Sequence, residues 1–193
     1  ARKILLDIKK YNKKATFESV LIAIKRYAIE LEKNSTSSAL SKIFASSELI
    51  MKNDIMEITT VRTPELFDII TDLSKKIRWD LGEVFFIIQG SGETTLITDQ
   101  KNEHYFSDIR KIIIQKEKSL ALLSIRESGD DDKLFSKNIP GYLSVLTTIL
   151  NSNNINIVEI ASTHKQMIFI IPEKDLTRAY DILNNLIKFH RNK

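Results

Sequence analysis

Three histidines, a run of aspartates and a glycine-rich turn are the residues that first invite a chemical reading. His104, His164 and His190 are scattered, and none has a serine or aspartate at a spacing that implies a catalytic triad. Asp130-Asp131-Asp132 offers carboxylate oxygens of the kind hard cations favour. No alternating ladder with a distal glutamate follows, so the run reads as a solvated loop and no metal site is expected. Gln89-Gly90-Ser91-Gly92-Glu93 has no Lys-Ser after it and lies between two strand-like runs, which makes it a hairpin turn. Neither a paired-carboxylate arrangement nor a Gly-rich nucleotide loop stands out. The expectation is a chain without catalytic residues or a cofactor, hence not an enzyme.

Composition narrows the class further. With 42% hydrophobic residues the 193-residue chain can bury two or three cores. It has no cysteine, so disulfides and thiolate metal sites are excluded. No apolar run of about 18 residues suits a membrane span, and no signal-peptide pattern opens the chain. A cytoplasmic location follows as the expectation. Charge is uneven: residues 1–47 carry ten Lys or Arg against four Asp or Glu, while the rest carries nineteen against twenty-one. A basic head on a near-neutral body suggests two jobs. Lys13, Lys14, Ser19, Lys25 and Arg26 are the candidates for nucleic acid, placed around a tight turn and on the helix after it.

The elements that position these residues follow from periodicity. Ile4, Leu5 and Ile8 share a helical face, and Thr16 caps a second helix whose stripe is Phe17, Val20, Leu21, Ile24, Ala28 and Leu31. Glu48–Lys52 and Ile55–Val61 are strand-like, with Asn53-Asp54 as a turn between them. Thr63-Pro64 opens a helix with Leu66, Phe67, Ile70, Leu73 and Ile77 inward. Strands at Val84–Ile88 and Thr94–Thr98, a short helix from about Asn102 and a strand at Ile112–Ile114 complete β, α, β, β, α, β. The order begins again: strand Leu120–Ile125, a helix opened by Pro140, strands Ile155–Ile160 and Met167–Ile171, and a last helix capped by Asp175. Pro64, Phe67, Ile70 and Leu73 match Pro140, Leu143, Leu146 and Ile149 at an offset of 76, and Thr94–Asp99 matches Gln166–Ile171 at 72. The second copy ends before a fourth strand, a position that Glu48–Lys52 would fill.

The segment Leu120–Ile125, then Ile139-Pro140-Gly141-Tyr142-Leu143, then Leu150-Asn151-Ser152-Asn153-Asn154-Ile155-Asn156-Ile157-Val158-Glu159-Ile160, resembles the ACT family of regulatory domains. With Glu18–Ala28 ahead of it, the whole chain is similar to archaeal predicted regulators of amino-acid metabolism that contain an ACT domain. The resemblance implies an α+β protein of tandem ACT-like, ferredoxin-like βαββαβ units with antiparallel sheets. The expected division is a helical, helix-turn-helix-like head at 1–47, a degenerate unit at 48–118 and an ACT domain at 119–193. The first unit departs from the pattern, with Glu65 where the second has Gly141 and no long loop before Pro64. The head lacks the first helix of such a region: either Ala1 follows a removed initiator methionine or, as a start inside helical pattern favours, the chain is a fragment of a longer protein.

The resemblance also implies a small effector, an amino acid, held where the first strand of the ACT unit meets its first helix and against a neighbouring copy. Helix-start amides suit a carboxylate, and a glycine lets it approach. The candidates are Ser128, Asn138, Ile139, Pro140, Gly141 and Tyr142, with Asn156 and Ile157 from the next strand. The function implied is effector-dependent control of amino-acid metabolism as a transcriptional regulator. The alternative is a regulatory subunit that grips a metabolic enzyme and no DNA. Exposed strand edges point to a homodimer or larger assembly.

Overall fold

The chain is described by a computed structural model over residues 2–24, 35–128 and 138–192. Two helices open it: α1 (Arg2–Tyr11) and α2 (residues 17–24). Thr16 and Ser19 join them through reciprocal bonds: the Ser19 amide donates to the Thr16 hydroxyl oxygen at 3.1 Å, and the Thr16 amide to Ser19 Oγ at 3.0 Å. That is a capping box in which a serine replaces the usual glutamate. Leu6, Tyr11, Ile22 and Ile24 on these helices stay exposed, whereas Val20 is buried.

The third helix, α3 (Ser35–Ser46), runs directly into strand β1 (Ser47–Val61). Then follow α4 (Pro64–Lys76), β2 (Phe85–Gln89), β3 (Glu93–Asp99), β4 (Ile113–Glu127), α5 (Tyr142–Ser152), β5 (Glu159–Thr163), β6 (Gln166–Pro172) and α6 (Leu176–Arg191). The fold is mixed α+β, with one six-stranded sheet in the order β2-β3-β1-β4-β6-β5 and every ladder antiparallel.

Two expected breaks are absent. Asn53-Asp54 is no hairpin turn: β1 runs straight through it, and the register with β4 slips between Lys52 and Ile55. Ile112–Ile114 and Leu120–Ile125 are likewise parts of one approach and strand, β4, whose register slips between the partners of Ile55 and Glu57. Asp54 and Ser119 both hold φ of 55° at these slips. Each slip adds one residue to one strand, so a bulge replaces a turn. The boundary at 118/119 therefore falls inside a continuous strand.

The sharing of these two strands defines the architecture. The late half of β1, with β2, β3 and the early half of β4, makes the first ferredoxin-like unit. The late half of β4, with β5, β6 and the early half of β1, makes the second. The early part of β1 supplies the fourth strand that the second copy lacks, pairing Ser47–Lys52 with Glu127–Leu122. Ile55 faces Asp99 in one unit as Leu120 faces Pro172 in the other, so the third strands correspond at an offset of 73 and not 72.

Each unit has its own core on the helical face. Met56, Ile58, Leu66, Ile70, Leu73, Phe85 and Leu96 pack in the first. Phe44, Leu123, Tyr142, Leu146, Leu150, Phe169 and Leu183 pack in the second. Phe67 and Leu143, expected inward, are each 41% exposed, because Leu66 and Tyr142 take the inward positions. A third core of Ile55, Ile97, Leu120, Leu122, Ile168 and Ile170 contains no helical side chain. These residues are almost wholly buried, so the sheet curls and the two units cover each other's inner faces.

The helix expected from Asn102 is two 3₁₀ segments, Gln100–Phe106 and Arg110–Ile112. A polar network pins the first of them. Glu83, held down to about 2 chiefly by Lys101, also accepts from the Arg78 amide and Asn102 Nδ2. Asp99, 6% exposed, takes the Val84 amide at 2.6 Å and Lys52 Nζ at 2.6 Å. Asp175 precedes α6 without capping it, and its carboxylate holds Arg178 at 2.8 Å instead.

The curl also gathers negative charge. Glu57 on β1 pairs directly with Glu117 on β4, and Glu159 of the second unit acts on it as well. Burial first, then the charges of Glu159 and Glu117, raise the Glu57 pKa. A carboxylate raised on folding takes up its proton first in the folded state, so this contribution to stability grows as pH falls from neutrality and is complete below the ordinary glutamate value. Glu57→Gln is expected to raise the melting temperature at pH 7 by roughly a few degrees and to flatten its rise on mild acidification. A melt of Glu57→Gln that is lower at pH 7, with the wild-type pH slope retained, would contradict this origin.

Candidate functional site

The start of α5 is built from the end of β4 and the turn at residues 138–141. Pro140 sits in that turn, and the helix begins at Tyr142, not at the proline. Gly141 is the N-cap residue at φ 90°, ψ −10°, a left-handed conformation that L side chains rarely adopt. It has no side-chain cap, and the first turn of α5 carries no acidic residue. Asn138, Pro140 and Gly141 are exposed, Ile139 is half-buried, and Ser128 is exposed at the end of β4. These residues lie at one end of the second unit. Asp130-Asp131-Asp132, with the rest of residues 129–137, lies outside the described residues.

Tyr142 belongs to this group by its backbone alone. Its ring is 2% exposed and stacks on Phe44 at 5.1 Å between centroids. Burial, with the nearby charge of Glu127, pushes its hydroxyl far above the usual tyrosine range. Glu127, 3% exposed at the end of β4, was not singled out by sequence. Its place alternating with Leu123 and Ile125 was the available signal.

Asn156 and Ile157 do not join them. They precede β5 at the end of the sheet where Leu120 pairs with Pro172, whereas Ser128 and Gly141 follow the end where Arg126 pairs with Gln166. About 20 Å of strand separates the groups within one chain. The eleven-residue helix α5 lies between them, so residues flanking its two ends do not meet within one chain.

The first unit offers a contrasting junction. A cleft of about 510 Å³ at the start of α4 is lined by Arg62, Thr63, Pro64, Phe67 and Ser91. Here the helix start already has a carboxylate: the amide of Glu65 itself, then the Thr63 hydroxyl, hold the Glu65 side chain below its ordinary pKa. Arg62 occupies the position that Glu127 holds in the second unit, both 65 residues apart like Ile55 and Leu120.

Of the basic candidates in the head, Lys13 and Lys14 are exposed in the α1–α2 turn. Ser19 is committed to the cap, its hydroxyl also donating to the Thr16 carbonyl at 2.9 Å. Lys25 and Arg26 lie outside the described residues. The head is also shorter than 1–47, because α3 is part of the second unit. Ser41 Oγ meets His190 Nδ1 at 2.8 Å, Phe44 stacks on the His190 ring, and Arg191 donates to the carbonyls of Ala45 and Ser47. His104 Nδ1 lies 2.9 Å from the Lys101 carbonyl, and His164 lies in the β5–β6 turn. Among the described residues no cluster of His, Asp and Glu suits a metal ion. No helix there is long and apolar enough to cross a membrane.

An ACT domain occupies residues 120–185, where the profile of that family matches. The matched segment runs from the late half of β4 into α6, so the strand completing its sheet lies upstream of it, in β1. No curated protein matches the chain. Among solved structures, the ligand-free regulatory subunit of aspartate kinase from Thermus thermophilus is 16% identical, with a TM-score of 0.54 over 71% of this chain and 95% of that one. The aspartate kinase of Clostridium acetobutylicum is 16% identical, with a TM-score of 0.56 over 71% of this chain and 34% of that one. A Vibrio cholerae protein of unknown function, described as a possible transport protein, is 12% identical at a TM-score of 0.52, over 79% and 99%. The chain thus spans whole regulatory subunits but about a third of the full kinase chain. At these identities the likeness is one of fold alone.

Proposed function

We propose that this protein is an effector-responsive regulator of amino-acid metabolism, acting in the cytoplasm by binding and not by catalysis. The effector is an amino acid held at the start of α5. The observation that carries this reading is Gly141: an exposed helix start without a side-chain cap, in a left-handed conformation, inside the segment that matches the ACT family. The first amides of α5 would take the carboxylate, as helix N-termini do. Ser128 and Asn138, on either side of residues 129–137 before that helix, would take the ammonium group. Glu65 denies an anion the equivalent place in the first unit.

The output is carried by the head, with Lys13 and Lys14 set to meet DNA phosphates. A second reading, in which the head grips a metabolic enzyme, is favoured by Leu6, Tyr11 and Ile22. Leu6 and Tyr11 are 71% and 92% exposed, an apolar surface that phosphates would not cover. Thermal-shift measurements with each of the twenty amino acids should single out one or a few that stabilise the chain, by about 2.7 kcal/mol at a hundredfold excess over Kd. A melt unmoved by all twenty would remove the effector reading. Mobility shift of genomic DNA fragments, lost on reversing the charges of Lys13 and Lys14, separates the two outputs.

A further inference from the structure

Among the described residues the shared-strand architecture leaves four strand edges without a neighbouring strand: the outer sides of β2 and β5, and one side of the early half of each central strand. On β1 the unpaired stretch is Ser47–Asp54, because β3 pairs only from Ile55 onwards. On β4 it is Ile113–Ser119, because β6 pairs only from Leu120. Among the described residues no turn or loop backbone hydrogen bond reaches Glu48–Asn53. At its far end this edge borders an open cleft of about 430 Å³ lined by Lys52, Asn53, Asp54 and Gln100.

The sequence of that edge, Glu48-Leu49-Ile50-Met51-Lys52, is complementary to its own reverse. In an antiparallel pair of two such strands centred on Ile50, Glu48 faces the partner copy's Lys52, Leu49 its Met51, and Ile50 its counterpart. A two-fold axis then makes the ion pair twice, as an isologous interface requires. Leu49 turns into the core of the second unit, so Glu48, Ile50 and Lys52 project together on the other face. Ile50 and Met51 are 41% and 52% exposed, large apolar side chains on an open edge. Lys52 already donates to Asp99 and to the Gly82 carbonyl at 2.8 Å, and the third proton on Nζ remains for a partner.

The other three edges lack this match. Antiparallel self-pairing of the β4 edge about Lys116 sets like charges face to face, a guard against pairing. The β2 edge, Phe85–Gln89, has no charge to fix a register, and the β5 edge has a lone Glu159 with no cation opposite.

We infer that residues 48–52 of β1 are a homodimer interface, where a second copy of this chain adds its own β1 and extends the sheet across a two-fold axis. Sedimentation velocity of the full chain at tens of micromolar tests it. Wild type is expected to be a dimer. Glu48→Lys sets lysines against the partner's Lys52, and Ile50→Lys sets two lysines on the axis. Each should raise the dissociation constant at least about tenfold, with circular dichroism and melting of the monomer retained since both sites are exposed. Ile87→Lys, on the β2 edge, should leave the dimer intact. A monomeric wild type, undiminished dimers in both β1 variants, or dissociation by Ile87→Lys alone would overturn the assignment.

Discussion

Replacing Gly141 by leucine should abolish effector binding in isothermal titration, using the amino acid that most stabilises the wild-type chain. Two effects act together. The residue holds φ of 90°, where an L side chain costs about 1–2 kcal/mol, so some stability is lost whatever the surroundings. A Cβ would lie 3.9 Å from Leu40 Cδ1, so a leucine side chain has α3 on one side and the helix amides on the other. Gly141→Asn separates the two effects, since asparagine tolerates a left-handed backbone. It should melt close to wild type and still bind poorly. Glu65→Ala should bind as wild type does. Normal binding by both Gly141 variants, with loss in an Arg62 variant, would move the site to the cleft at the start of α4.

The largest loss of stability is expected from Phe44→Ala. The side chain is 1% exposed, between Tyr142 and the ring of His190. Truncation of a buried phenylalanine costs about 3–5 kcal/mol, for the lost transfer and the cavity left behind. Because α3 is held on α6 through this ring, Ser41 and Arg191, the helix should also loosen, exposing amides of residues 38–46 to hydrogen exchange. Urea denaturation measures the first effect. A loss below about 1 kcal/mol would mean that α3 adds little to the second unit and belongs with the head.

The effector candidates show how far sequence reaches. Ile139-Pro140-Gly141 was legible because a proline and a glycine ahead of an apolar helical stripe constrain the backbone locally. Gly141 indeed takes the backbone conformation for which glycine is suited. Asn156 and Ile157 follow it closely in element order, but order carries no distance across an eleven-residue helix. Tyr142 adjoins Gly141 in the sequence, yet its ring fills a core contributed partly by α3, a hundred residues upstream. The three-residue spacing that points Phe67 and Leu143 inward fits either of two adjacent helical faces, and both are exposed.

Local pattern determined the elements. Alternation gave the strands, 3.6-residue periodicity gave α4, α5 and α6, and Thr16 and Thr63-Pro64 gave the helix starts, because each depends on residues a few positions apart. The βαββαβ order and its repetition followed from those elements, and with them the α+β class. Long-range pairing decided the rest. Whether Asn53-Asp54 turns or bulges depends on β4, some seventy residues away, offering its own bulge at Ser119 opposite. The burial of Ile55, Ile97, Leu120 and Ile168 requires the sheet to curl upon itself, which no window of sequence contains. The two units are therefore interleaved through β1 and β4, because antiparallel strands of fifteen residues are long enough to serve as the first strand of one sheet and the last of the next.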